Sequence, residues 1–326
     1  MDAAPRLYSH EDVVRFLEPD ACIAAVREAM RNLTAGAFEQ PLRSIVTLAP
    51  GRLFAQMPGV GHDELGFGAK LVSVYADPSR PGQSRHQGIV VVFDRASGAV
   101  RCLAEAGAIT EIRTGCASAV ATDALARGDA RVLAIFGTGA QARSHALAVT
   151  RVRPFERVVL WGRDPSRLEA LKAGLEPRLG LGITTTTDGR EAAQAADVIC
   201  TTTAATTPIL LREWVRPGTH LNIVGSSLLG PAEIDSALVR DSRYIADYRR
   251  SALAAASEFA IAKQAGLVTD AHIVAEIGEV LLGRVAGRRH RDEITLYKSL
   301  GHIVQDLAAA DCVHRAATAA GQRGSR

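Results

Sequence analysis

The residues best placed to do chemistry lie in the run RVLAIFGTGAQARSH, from Arg131 to His145, where an apolar stretch breaks into glycines. The spacing is G-x-G-x-x-A at Gly137, Gly139 and Ala142. Val132–Phe136 read as a buried strand, Gly137 permits a sharp turn, and Gly139 lets the backbone approach a pyrophosphate closely. Ala142 leaves room for helix-on-strand packing, and the helix opened by Ala140 and Gln141 points unpaired N–H groups at the phosphates. The strand before the glycines and the helix-like run after them supply the context that a dinucleotide site requires. Three cations form a second group: Arg43, Lys70 and Arg113 stand near strand or helix boundaries in otherwise apolar company. Convergent, they would hold a carboxylate, arginine in a two-bond fork and lysine as a point charge. On spacing alone each also suits an ordinary surface position.

An acidic residue closing the second strand of such a fold accepts hydrogen bonds from the ribose of NAD. Here that strand ends at Trp161-Gly162 and Arg163 follows, a side chain suited to stacking on adenine and pairing with a 2′-phosphate. NADPH is therefore favoured, and Asp164 keeps NADH open, although Asp164-Pro165-Ser166 reads better as a helix cap. Thr202 and Thr203 close the fourth strand, where a cofactor crosses the sheet. Capping a following helix is the alternative use of these hydroxyls.

The elements that must position these groups follow from the pattern. Helices are expected from Ser9 and from Pro19 to Leu33, strands at 45–48, 53–57 and 69–75, and a hairpin of 89–93 with 100–104. A helix from Thr114 to Arg127 leads into alternating strands and helices, with strands at 132–136, 158–161, 183–187, 198–201, 221–224 and 244–246. Helices at 252–265, 272–282 and 300–319 complete the chain. The fold class is α/β: a Rossmann-type doubly wound parallel sheet over 118–299, plus an α+β substrate and dimerisation domain, 1–117, completed by 300–326. The loop GRVAGRRHRDE, 283–293, reads as solvated.

A chain of 326 residues suffices for two such cores, and 47% hydrophobic with 22% charged residues is a soluble composition. A formal net charge of +3 points to no polyanionic partner, so neither nucleic acid nor a membrane is expected. The opening MDAAPRLYSHEDVVRFL lacks the layout of a secretory signal, which together with the cysteines implies a cytoplasmic protein. Cys22, Cys102, Cys116, Cys200 and Cys312 are scattered, fit no metal-ligand spacing and suit buried thiols. No metal is expected.

Along nearly its whole length the chain resembles the ornithine cyclodeaminase/mu-crystallin family. The matching pieces are Arg43, MP at 57–58, AKLV at 69–72, SRHQGIVVVFD at 84–94, ITEIRTGCASA at 109–119 and FGTGAQA at 136–142. HLNIVGSS at 220–227, EID at 233–235, AEIGEV at 275–280 and EITLYKSLGHIVQD at 293–306 complete the set. The resemblance implies a homodimer, with a small imino or amino acid held between the first domain and a nicotinamide. It assigns Arg43, Lys70 and Arg113 to the substrate carboxylate. Ser226 and Lys298 fall to the nicotinamide end of the cofactor, Lys298 in a helix-start loop where a structural role is equally open. His86, in the SRHQG turn, is on the same ground an acid or hydrogen-bond donor to substrate; stabilising the turn is its other use.

Two departures narrow the chemistry. Ornithine cyclodeaminases carry an acidic residue two positions before the Met-Pro pair, where this chain has Ala55, and a catalytic aspartate where it has Ser227. A serine hydroxyl orients water or substrate but is no ordinary base near neutral pH. Serine here, the SHQ-like segment and the Trp-x-Arg turn are similar to the ketimine reductase branch. The expected reaction is therefore NAD(P)H-dependent reduction of Δ1-pyrroline-2-carboxylate or Δ1-piperideine-2-carboxylate to L-proline or L-pipecolate. Lys70, His86 and Ser227 are the expected catalytic groups, with Lys70, His86 or water as the proton donor. Cyclodeamination of ornithine or lysine, a linear imine such as iminosuccinate, amino acid dehydrogenation and non-catalytic nucleotide binding are the rival readings.

Overall fold

Two helix starts are written in local chemistry. The Ser9 hydroxyl accepts from the Asp12 amide while the Asp12 carboxylate accepts from the Ser9 amide, and Pro19 occupies a first helical position. The computed structural model describes residues 5–62, 65–75 and 86–324. Its elements begin with β1 (Arg6–Tyr8), α1 (His10–Phe16), α2 (Pro19–Thr34), β2 (Phe38–Glu39), β3 (Ser44–Ala49) and β4 (Arg52–Gly61). There follow β5 (Phe67–Tyr75), β6 (His86–Phe93), β7 (Val100–Glu105), α3 (Ala106–Leu125), β8 (Val132–Phe136), α4 (Ala140–Val149) and β9 (Arg157–Trp161). Next come α5 (Pro165–Leu179), β10 (Gly182–Thr186), α6 (Gly189–Ala195), β11 (Val198–Thr201), β12 (His220–Ile223), α7 (Ser236–Asp241) and β13 (Arg243–Ala246). The chain closes with α8 (Arg249–Ala255), α9 (Ser257–Gln264), β14 (Ile273–Glu276), α10 (Ile277–Leu281), β15 (Thr295–Lys298) and α11 (Ile303–Gly324). It divides into two units, Met1–Arg113 with Gly301–Arg326, and Thr114–Leu300.

In the first unit the sheet runs β1-β7-β6-β5-β4-β2, with β3 also on β4; β1 is parallel to β7 and the other pairs are antiparallel. Met57, Lys70, Val90 and Ala104 stand in one cross-strand row and all are buried. The helix α11 packs on β4, β5, β6 and β7 as well as on α2. Gly68 permits the close approach: a Cβ there would lie 2.8 Å from Leu307 Cδ2 and 2.1 Å from the Val91 carbonyl oxygen. Several large apolar side chains of β3, β4 and β5 remain exposed, among them Ile45, Val46, Leu48, Val60 and Leu71.

The second unit is a Rossmann-type sheet of eight strands, all parallel, in the order β10-β9-β8-β11-β12-β15-β13-β14. After β8 the chain moves outward through β9 and β10, then returns to the other side of β8 with β11. The carboxyl ends of β8 and β11 therefore flank the switch point at which open α/β sheets take their ligands.

Four elements depart from expectation, the first being the helix expected over 252–265, which breaks at the extended Ala256 into α8 and α9. The helix expected from Thr114 begins at Ala106, because the Glu105 carboxylate accepts from the Gly107 and Ala108 amides (2.6 and 2.7 Å). Arg113 thus lies mid-helix and Lys70 mid-strand, not at boundaries. The helix expected over 272–282 is β14 followed by the short α10; the alternating burial of Ile273–Glu276 is a two-residue period. Thr295–Lys298, expected as a loop, is the strand β15, buried between β12 and β13. In the basic loop Arg288 turns inward, donating to Leu125 O and Thr295 Oγ1 (each 2.9 Å), while Arg289 and Arg291 are exposed.

Candidate active site

The glycine turn of the second unit is built from strand β8. Gly137 takes φ +133, a region open to glycine, and a Cβ there would meet Thr202 Oγ1 at 2.7 Å. Its amide donates to the Trp161 carbonyl (2.9 Å), tying the turn to β9. Gly139 is the N-cap of α4, whose first turn receives no side-chain hydrogen bond. Gly139 and Ala140 are exposed, and a Cβ on Gly139 would meet only open space. This is a cradle of backbone amides at a helix N-terminus, the shape a pyrophosphate needs. Ala142 is buried against the sheet, and the Gln141 side-chain oxygen is buried with no hydrogen-bond partner. Arg163 is exposed immediately beyond β9, and Asp164 caps α5 by accepting from the Ser166 and Arg167 amides (2.9 and 3.3 Å).

Two buried glutamates shape the loops beyond β11 and β12. Glu233 accepts from Thr201 Oγ1 (2.7 Å), the Thr203 amide and hydroxyl (2.6 and 2.8 Å) and the Gly225 amide (2.6 Å). Burial pushes its carboxyl above the usual range, against the pull of those bonds. Thr203 is thereby a loop anchor rather than a helix cap, and Thr202 donates its hydroxyl to Phe136 O (3.0 Å). Glu258 accepts from the Glu233 amide (3.2 Å) and from the Ser226 hydroxyl, and it pairs with Lys298 at 3.1 Å. Lys298 donates to the carbonyl and hydroxyl oxygens of Ser226 (2.6 and 2.7 Å). Lys298 therefore holds the Ser226 loop from a strand, and half-buried Ser227 follows in that loop. The sequence offered no role for Glu233 or Glu258; apart from Gly225, eight residues from Glu233, their partners lie between 25 residues (Glu233 to Glu258) and 40 residues (Lys298 to Glu258) away along the chain.

The first unit assembles the cations. Lys70 projects from β5 and donates to Thr110 Oγ1 (2.5 Å) and Asp306 Oδ1 (3.2 Å). Arg113, from α3, gives its Nε to the same Asp306 oxygen (2.9 Å) and its Nη1 to Gln305 Oε1 (2.8 Å). Its guanidinium lies against Gly301, where a Cβ would come within 2.7 Å of both terminal nitrogens, and Arg43 donates to the Gly301 carbonyl (3.2 Å). Lys70 is 2% and Arg113 4% exposed, and Asp306 is fully buried. Burial, opposed by Asp306 and reinforced by Arg113 and Arg43, brings the Lys70 ammonium down to about 8. Asp306 stays below the ordinary carboxyl range: burial pushes it up, and Arg113 and Lys70 more than offset this. Two buried cations, Lys70 and Arg113, thus share one carboxylate, with Arg43 beside them on the Gly301 carbonyl, a balance that suits one further anionic group. Ala55 is buried and paired with Val72, with no acid at that position. His86 begins β6, but its side chain falls outside the described residues. Among the described residues no cluster of ligating side chains suits a metal ion.

The family model for the ornithine cyclodeaminase/mu-crystallin family matches residues 4–321. The ketimine reductase mu-crystallin of Mus musculus is 35% identical over 321 residues, 96% of this chain and 98% of that protein. The Delta(1)-pyrroline-2-carboxylate reductase of Bacillus thuringiensis subsp. konkukian (strain 97-27) is 33% identical, covering 92% of each. The solved structure of Thermococcus litoralis Delta(1)-pyrroline-2-carboxylate reductase with NADH and L-proline superposes with a TM-score of 0.93 at 31% identity, over 97% of this chain and 98% of that one.

The buried Lys298–Glu258 pair yields a stability test. Glu258→Gln strands a cation away from water and is expected to cost about 3–5 kcal/mol. Adding Lys298→Met removes the stranded charge and should recover much of that loss in urea unfolding; a double variant no more stable than Glu258→Gln would show the two side chains to be uncoupled.

Proposed function

The chain belongs to the ornithine cyclodeaminase/mu-crystallin family, and we propose that it reduces a cyclic imino acid, Δ1-pyrroline-2-carboxylate or Δ1-piperideine-2-carboxylate, to L-proline or L-pipecolate. The relatives at 35% and 33% identity are a ketimine reductase and a pyrroline-carboxylate reductase, and the similar solved structure carries NADH and L-proline. The observation that carries the reading is the cation cluster around Asp306. Lys70 and Arg113, both on the one Asp306 carboxylate, leave one positive charge in excess, which suits a substrate with one carboxylate and an uncrowded ring nitrogen. Ala55 and Ser227, standing where the deaminating relatives are expected to carry acids, disfavour ammonia release from ornithine.

A reduced nicotinamide, when bound, supplies hydride to the C=N carbon, so the nitrogen gains one proton overall and the product is the amine. The α4 N-terminus with Gly137, Gly139, Ala140, Gln141 and Ala142 would hold the pyrophosphate. Thr202, Thr203 and Ser226 would line the path toward the nicotinamide, with Lys298 fixing Ser226. Arg43, Lys70 and Arg113 would take the substrate carboxylate. Lys70, His86 or a water ordered by Ser227 would give the proton. Arg163, exposed beyond β9 where a 2′-phosphate would sit, inclines the choice toward NADPH over NADH. The first unit would serve substrate binding and dimerisation, since exposed Ile45, Val46, Leu48, Val60 and Leu71 need cover. A cytoplasmic location accords with a nicotinamide cofactor, and no described helix is long and apolar enough to cross a membrane.

Purified protein is expected to oxidise NADH or NADPH when either cyclic imine is added, followed as loss of absorbance at the reduced nicotinamide band. No oxidation with any imine, together with ammonia release from ornithine, would reject the reading. Arg163→Ala should weaken NADPH about five- to tenfold more than NADH; equal losses remove Arg163 from cofactor choice. Sedimentation velocity should give the mass of two chains, and a monomer at micromolar concentration counts against the dimer.

A further inference from the structure

Only four of the chain's 38 lysine and arginine residues are lysine, at positions 70, 172, 263 and 298. Lys70 is one of two that are buried, and its surroundings are arranged around one oxygen. Asp306 Oδ1 accepts from Lys70 Nζ at 3.2 Å and from Arg113 Nε at 2.9 Å. The other carboxylate oxygen is buried with no hydrogen-bond partner. Thr110 adds direction without charge: its hydroxyl donates to the Ala106 carbonyl (2.6 Å), so toward Lys70 it can only accept. An ammonium bonded to Thr110 and Asp306 has one N–H left, whereas a neutral amine held in the same two bonds has a lone pair there. The charge on Lys70 therefore decides whether that third direction offers a proton.

The geometry points to Asp306 as a positioning residue: the counter-ion that keeps Lys70 in its ammonium form, with Thr110 aiming it, while the same oxygen restrains Arg113. This rests on the reading of Lys70 as a substrate-site group and adds to it the residue that sets its charge. The charged groups facing Lys70 are Asp306 on α11, Arg113 on α3 and Arg43 between β2 and β3; its register neighbours on β4 and β6, Met57 and Val90, are apolar. Burial and the two arginines favour the neutral amine, and Asp306 alone opposes them. Without Asp306 nothing among these groups favours the charge.

The sign follows. With Lys70 titrating at about 8, the ammonium form is complete well below that pH and lost as pH rises through it. Asp306→Asn keeps the shape and removes the charge, so the midpoint should fall by about one unit or more. Arg113→Gln removes a repelling cation and a competitor for Oδ1, so the midpoint should rise. General loosening of the site would let water in and raise the midpoint in both variants, so a fall in Asp306→Asn distinguishes a counter-ion from a structural prop.

Carbon-13 at the lysine ε position, followed by NMR against pH in substrate-free protein, reads this directly. Four signals are expected, and the one lost in Lys70→Arg is Lys70. A Lys70 midpoint that is unmoved or higher in Asp306→Asn overturns the proposal. Should that variant not fold, Arg113→Gln and Arg113→Lys decide together: a rise in the first with the second, which keeps the cation, unmoved supports a midpoint set by the shared charges, and an unmoved midpoint in the first or an equal rise in both overturns it. In turnover, the alkaline limb of kcat/KM for imine reduction should move down with the midpoint, lowering kcat/KM at pH 8 about fivefold in Asp306→Asn. The lysine titration needs no substrate, so failure of every imine to turn over would count against the reductase reading and leave the assignment of Asp306 to stand or fall on its own.

Discussion

Charge taken out of water must be matched at close range, and this constraint governs both units of the chain. In the first, one carboxylate oxygen of Asp306 serves Lys70 and Arg113 at once. In the second, Glu258 answers Lys298 while Glu233 gathers four donors from the loops beyond β11 and β12. Each arrangement fixes backbone as well as charge. The helix α11 must lie where Asp306 reaches β5 and α3, and glycine at 68 lets it do so. The Ser226 loop must lie where Lys298 and Glu258 meet it.

The two sites differ in what a charge excess can do. Around Glu258 a single cation meets carboxylate and neutral oxygens, so the arrangement is internally complete and acts as a frame. Around Asp306 the cations outnumber the acid, and the remaining positive charge is available to an anion. A small acid with one carboxylate meets that demand without a further counter-charge. Lysine at 70, in a chain that otherwise relies on arginine, adds a group whose proton can be given up near neutral pH, which a guanidinium does not do.

What was legible in the sequence was mostly local. The run Val132–Ala142 carries its own strand, turn and helix start, and the structure places each where the glycine spacing puts it. Asp164 and Pro165 likewise announce the start of α5. Short strands buried on both faces were harder, because Thr295–Lys298 shows neither alternation nor a long apolar run. The early start of α3 depended on Glu105 reaching forward to two amides, a signal easily read as the end of a strand. The cations at 43, 70 and 113 were visible as residue types, and the family resemblance grouped them. Their counter-ion was not visible, since Asp306 stands 236 and 193 residues from Lys70 and Arg113. Its one trace is a charge set among Val304, Leu307 and the alanines of an apolar helical face.

That separation bears on the order in which the protein is made. The strands and helix bearing Lys70 and Arg113 are made well before their counter-charge and the helix that covers their sheet. Until then two cations have no acid to enter the core with, and the inner face of β4–β7 has no lid. The Thr114–Leu300 unit holds its own strands, its glutamates and Lys298, so its buried ion pair does not wait for Asp306. The sheet that bears Lys70 therefore stays uncovered on one face until α11 follows, and an uncovered apolar sheet face is prone to aggregate.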